Sequence, residues 1–289
     1  MTKKKKIKKF YMWLAGICGT VLIVFLSLAI WLVNGGLTKA KTSVLTIVPF
    51  PIVLVNGSPI MAKDFLFRYD LRKQYSQEVV TPKGVLADLV YEKKLEQLAA
   101  RHNVFVSKNQ LQNEFNYRLV REDPSLAWQS LRESGLNEVG FKSTILKPSL
   151  LLTNFQTWFY SRQDLNSQAY TKALSIKDSA EQGIDFGNLA KNNTQDEWGA
   201  LVEGDMGFIE ISSLLSEIQE GVDSMQVSEV KIIPSRFGLH VVKLEAKDNS
   251  GPDGAARLHL KQIFVFNATF TSWAQEEIKN IVARQLIKI

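Results

Sequence analysis

Residues 229–246 read EVKIIPSRFGLHVVKLEA. Two runs rich in β-branched residues, 229–233 and 239–246, flank a short segment with Phe237 and Gly238. That texture predicts two strands joined by a tight turn. His240, one of three histidines in the chain, opens the second strand. Taken alone, it reads sooner as a partly buried structural histidine than as a working group. Beyond a loop at 247–256, KDNSGPDGAA, the run LKQIFVF (260–266) predicts a third strand.

Upstream the texture is helical. Residues 165–182 form an Ala-rich helix closing at Gly183, and Asp185 caps a short helix, FGNLAK. Asn137 caps a long segment that Pro148 should kink or divide. Ser107 with Gln110 marks another helix start, and Thr81-Pro82 a third. VLVNGSPI (53–60) predicts two strands around an Asn-Gly turn, followed by a helix at 63–74. At the other end, Ser272 with Gln275 predicts a final amphipathic helix across 269–289, with Ile278, Ile281, Val282, Leu286 and Ile289 on one side.

The net charge of +6 is misleading. Residues 1–9, MTKKKKIKK, hold six lysines, and removing these from 35 leaves 29 basic residues against 29 acidic. The rest of the chain is neutral, so no nucleic-acid surface is expected. Residues 10–33 form 24 uncharged, mostly apolar positions. As a helix they reach roughly 36 Å, enough to cross a bilayer. The lysines hold the N-terminus in the cytoplasm, and the later domains are expected outside the cytoplasmic membrane. A cleaved leader is the alternative, but the apolar run is long for one and no A-x-A-like site follows. The only cysteine, Cys18, lies in this run, so no intrachain disulfide can form. Residues 34–50 read as a tether.

GIDFGNLAKNNTQDEWGALVEGDMGFI (183–209), followed by SRFGLHVVK (235–243), resembles the parvulin, or PpiC-type, family of peptidyl-prolyl cis/trans isomerases. Gly183, Asp185, Phe186, Leu189, Ala190, Gly204, Asp205, Gly207, Phe208, Phe237, Gly238 and His240 follow the family pattern in order. By order and pattern, 51–164 resembles the helical chaperone part of SurA- and PrsA-like foldases. Beside the transmembrane helix read from residues 10–33, the resemblance implies an α+β chain with a helical chaperone-like domain at 51–164 and a parvulin-like antiparallel sheet flanked by helices at 165–268. It implies clients that are unfolded or extended polypeptides with proline.

The family's site places two facing histidines, a Cys or Asp and a Ser or Thr beside an apolar slot for the proline ring. On this chain the resemblance gives His240 and Ser235 the positions of the second histidine and the hydroxyl. Asp196 or Glu197 falls at the acid. Leu214, Ile218, Phe237, Met206 and Phe208 fall at the slot. The family's first strand, with its own histidine, is missing upstream of Gly183. ARLHLKQIFVF (256–266) looks like that strand moved to the C-terminal side, a circular permutation in which Gln262 replaces the histidine. Gln262 should then lie across from His240 on a neighbouring strand, and His259 should face the other side. An active isomerase and a catalytically weak client-binding chaperone both remain open. No metal or cofactor motif occurs, and the sequence leaves the oligomeric state undetermined.

Overall fold

The computed structural model describes residues 23–121, 124–133, 135–248, 257–266 and 269–289. It divides into two units, one holding residues up to Lys94 together with Lys279–Ile289, the other Leu95–Ile278.

In the first unit, β1 (Pro51–Val55) and β2 (Ser58–Met61) form an antiparallel hairpin. Asn56 and Gly57 both take positive φ, 43° and 80°, as the tight Asn-Gly turn requires. The region read as a tether is ordered. Helix α1 covers residues 23–33, and α2 (Lys39–Ile47) starts where the Thr38 hydroxyl accepts a hydrogen bond from Lys41 N. The buried Lys41 ammonium donates to the carbonyls of Leu32, at 3.3 Å, and Asn34. It thereby satisfies carbonyls that the end of α1 leaves free. Among the described residues no helix is long and apolar enough to cross a membrane. Residues 10–22, most of the expected span, lie outside them, as does the loop at 249–256. Helices α3 (Ala62–Tyr75) and α4 (Pro82–Arg101) follow, the latter capped by the Thr81 hydroxyl at 3.1 Å from Gly84 N.

The expected C-terminal amphipathic helix is overturned. Its first part, α13 (Phe270–Glu277) in the second unit, is capped by Thr269 rather than Ser272. The chain then makes a 3-10 turn and ends in β7 (Ala283–Gln285), which pairs with β1 in the order β2-β1-β7. A strand here supplies the free edge of β1 with backbone partners, and it buries Ile281 and Ile287. That outweighs the helical spacing of the isoleucines.

In the second unit, α5 (Lys108–Arg121), α6 (Pro124–Glu133), α7 (Glu138–Phe141) and α8 (Lys147–Ser161) precede the sheet. Asn137 caps α7 as expected. The segment is divided as expected, with α8 starting at Lys147 and Pro148 in its first turn. A π-turn at Lys142–Leu146 re-phases the backbone ladder just before it, so the donor that proline lacks is not missed. The His102 ring lies 4.3 Å from Trp158, beside Phe155 and Trp273. Phe155 also meets Phe270 edge-on at 5.2 Å. This aromatic packing joins α8 to α13 within the second unit.

Helices α9 (Ser167–Glu181), α10 (Phe186–Asn193), α11 (Glu197–Leu201) and α12 (Ser216–Asp223) surround a four-stranded antiparallel sheet. Its strands are β3 (Asp205–Glu210), β4 (Val230–Pro234), β5 (Leu239–Asp248) and β6 (Arg257–Val265), in the order β3-β6-β5-β4. β6 therefore sits beside β5, as its sequence led us to expect. Side chains alternate across the sheet. Leu239, Val241, Ile263 and Val265 pack on Ala169, Ala173 and Ile176 of α9 and on α10. Ile233, Val242, Leu244, Leu258 and Leu260 pack on Ile218 and Val222 of α12.

Candidate active site

β4 and β5 meet through a tight turn in which Ser235 N donates to Gly238 O at 2.8 Å. A side chain at Gly238 would begin 2.9 Å from the Phe264 ring, so the close approach of β6 demands glycine there. The turn delivers Ser235 and His240 to the α12 face. Both are buried, His240 with 5% of its surface exposed. Ser235 Oγ lies 2.7 Å from His240 Nε2 and accepts from Phe237 N at 3.1 Å. The hydroxyl keeps a second acceptor lone pair, so the direction of the Ser235–His240 bond follows the ring tautomer. Nδ1 is buried and has no hydrogen-bond partner among the described residues.

Burial pushes the His240 pKa down from 6.5 to about 4, opposed by Gln262 and by the negative charge of Glu217. The imidazole is thus neutral at pH 7. The ring packs against Phe264 at 5.0 Å, and Phe266 continues that row at 5.7 Å.

Register fixes the place of Gln262. His240 pairs with Phe264, and Val242 pairs with Gln262. Gln262 is therefore across from His240 on the neighbouring strand and on the same face, diagonal to it by two residues. Its backbone is held by Gly204, whose carbonyl accepts from Gln262 N at 2.8 Å. A Cβ at Gly204 would lie 2.7 Å from the Gln262 carbonyl oxygen. His259 lies on the other face as expected, where its Nε2 is 2.8 Å from Asp205 Oδ1.

The other expected site residues are not gathered here. Phe208 packs on His259 at 5.1 Å, which puts it on the face opposite His240. Met206 is exposed on β3. Ile218 is only 3% exposed, packed under α12, so its side chain is core rather than the wall of an open slot. Leu214 packs partly buried at the rim of the same core. Phe237, 56% exposed, projects from the turn. The Asp196 carboxylate caps α11 by accepting from Gly199 N at 3.1 Å. Glu197 is exposed in the first turn of that helix. Neither hydrogen-bonds to His240 or Ser235 among the described residues.

The acid that does adjoin the site is Glu217, which sequence reasoning missed. Arg236 clasps it with two parallel bonds, Nε to Oε1 at 2.9 Å and Nη2 to Oε2 at 2.8 Å. Arg236 N adds a third at 3.1 Å. Burial alone would raise the Glu217 pKa, but these bonds override it and hold the carboxyl at about 2. Arg236 directly follows Ser235, and Glu217 directly precedes Ile218. That adjacency to two candidate residues was the only signal in the sequence.

The antiparallel sheet carries the SRFGLH turn and the buried Ser-His pair. Residues 151–246 match the family described as "Rotamase: PPIC-type PPIASE domain". This region is a PPIC-type domain, in a chain homologous to SurA and PrsA chaperone-foldases. The chain is 23% identical over 136 residues to chaperone SurA of Methylococcus capsulatus, covering 46% of this chain and 27% of that protein. It is 25% identical over 112 residues to foldase protein PrsA of Oceanobacillus iheyensis, covering 37% of this chain and 38% of the other. Among solved structures it is similar to PrsA from Bacillus subtilis, at 16% identity and a TM-score of 0.24, with 79% and 84% of the two chains covered. The aligned part spans well under half the length of these curated relatives.

Proposed function

We propose that this chain is a membrane-anchored folding factor acting outside the cytoplasmic membrane. Its PPIC-type domain takes up extended, proline-containing segments of exported polypeptides and isomerises X-Pro bonds. The observation that carries this reading is the buried Ser235–His240 hydrogen bond on the sheet face that also bears Gln262. In this reading β6 stands in the place of the family's first strand, a circular permutation that its position beside β5 supports. The lysine-rich start, the apolar run at 10–33 and the exposed apolar side chains of Ile23, Val24, Phe25, Leu26 and Ile30 support the anchor.

Isomerisation makes and breaks no covalent bond. The barrier is rotation about a partial double bond, about 18–20 kcal/mol. A catalyst works by holding the twisted amide better than the planar one. A neutral imidazole at pH 7 fits chemistry without proton transfer. His240 is too buried to touch a substrate, so it and Ser235 are positioning residues. Gln262 is the polar group that reaches the peptide. Lying on the same face of the sheet as His240, its amide supplies an N–H donor for the rotating carbonyl. Phe237 and Leu214 give the apolar surface for the proline ring.

A second reading, client binding without isomerisation, is favoured by the burial of Ile218, which closes the floor of the slot. A protease-coupled proline-peptide assay on the full chain in detergent separates the two. The isomerase reading expects a rate above the uncatalysed one that Gln262→Ala abolishes. Client binding without such a rate leaves the second reading. Absence of both refutes the two together.

A further inference from the structure

Glu217 joins three elements that are far apart in sequence. It belongs to the first turn of α12, the helix carrying Ile218. Its carboxylate binds the side chain and backbone of Arg236, inside the turn that holds Ser235 and Phe237. The Thr157 hydroxyl on α8 lies 3.2 Å from Oε1 and shares its proton with Thr153 O at 2.9 Å, and Oε2 accepts from the Ser216 hydroxyl at 3.0 Å. Arg236 Nη2 reaches Ser216 Oγ at 3.4 Å as well, closing the ring of contacts. The Glu217 side chain is 10% exposed and that of Arg236 29%. This is therefore a largely dry, bidentate pair, unlike the exposed ion pairs that contribute little.

The rest of the turn is thinly held. Ser235 N donates to Gly238 O, Phe237 N to Ser235 Oγ, and Arg236 N to Glu217 itself. If Glu217 lets go, the Arg236 amide loses its acceptor and the turn is free to move away from α12. Ser235 Oγ, two bonds from that backbone, then no longer stays 2.7 Å from His240 Nε2.

We propose that Glu217 is a positioning residue. Through Arg236 it clamps the Ser235–Phe237 turn onto α12, and through Thr157 it ties that clamp to α8. The clamp fixes Phe237 and the Ser235–His240 bond, so occupancy of the peptide site depends on it. Its consequence for catalysis rests on the isomerase reading above, but the clamp itself does not.

The test is amide hydrogen exchange and histidine-selective NMR on the full chain in detergent micelles, comparing wild type with Glu217→Gln and Arg236→Lys. Glu217→Gln keeps the shape and removes the charge that the bidentate pair needs. The expected result is exchange on the order of tenfold faster at 235–238, with exchange in the centre of β5 and β6 unchanged, because about 1.4 kcal/mol of local stability corresponds to a factor of ten. The His240 Nε2 resonance should move toward that of a free imidazole, and KM for a proline peptide should rise more than kcat falls. Arg236→Lys keeps one charge and should restore part of the protection relative to Arg236→Met. Unchanged exchange at 235–238 and an unmoved His240 resonance in Glu217→Gln would overturn the clamp, whatever the activity. A wild type without isomerase activity, but with the exchange pattern as expected, would remove the catalytic reading and leave the clamp standing.

Discussion

His240 offers the sharpest quantitative test, because its burial has a thermodynamic price that pH exposes. The ring is enclosed by Ser235, Phe264 and Gln262, and by the core that includes Ile233 and Val242, with the Glu217 carboxylate as the nearby charge. Its pKa of about 4 lies well below the ordinary 6.5. Between these values the unfolded chain binds a proton that the native state refuses. Stability from this group is therefore complete above about pH 6.5 and is lost as pH falls to about 4. The gap is worth about 3 kcal/mol. Glu217 stays ionised in the native state over the same interval, because its pKa is held near 2; the stabilisation it gives starts to fall once the unfolded carboxyl protonates near 4.5, equally in both proteins. The experiment is urea unfolding of the full chain at pH 7 and pH 4, followed by tryptophan fluorescence, for wild type and His240→Gln. Other carboxylates titrate alike in both proteins and cancel in the comparison. Wild type should lose about 3 kcal/mol more than the variant between the two pH values. Equal losses would refute the assignment of a neutral, buried imidazole.

Three further outcomes follow from the packing. Gly238→Ala places a methyl group 2.9 Å from the Phe264 ring and 3.0 Å from Val265 O, and should destabilise the second unit by about 1–3 kcal/mol in urea titrations. Ile287→Ala removes a fully buried side chain from the first unit and should cost about 2–5 kcal/mol, read by the same titration. Gln262→His restores an imidazole on the face that bears His240. It should raise the protease-coupled isomerisation rate severalfold and bring a titration near neutral pH into its profile.

Local signals with a mechanism were legible in the sequence. Asn56-Gly57 specified the first hairpin, because both positions need positive φ. Thr81, Asn137 and Asp185 capped the helices that they preceded. The β-branched texture of 260–266 announced β6, and the strand period correctly sent His259 away from His240. What stayed hidden was set by distant partners. Ile278, Ile281 and Val282 have helical spacing, but the end of the chain answers the free edge of β1, more than two hundred residues upstream. Asp196 was a reasonable site acid until its carboxylate was taken by the first turn of α11. The Glu217–Arg236 pair spans two elements of different type, so no periodicity within either reveals it.

One measurement bears most directly on the reading of residues 235–264 as a working proline site. It is cis–trans exchange NMR on a proline peptide with substoichiometric full-length protein. It reads binding and rotation in one sample, with wild type compared against Ser235→Ala. The account predicts exchange cross-peaks between the cis and trans forms with wild type, strongly weakened when the Ser235 hydroxyl is removed, and peptide-induced shifts confined to 235–240 and 262–264. Cross-peaks that persist unchanged in Ser235→Ala, or shifts that fall elsewhere in the chain, would contradict it.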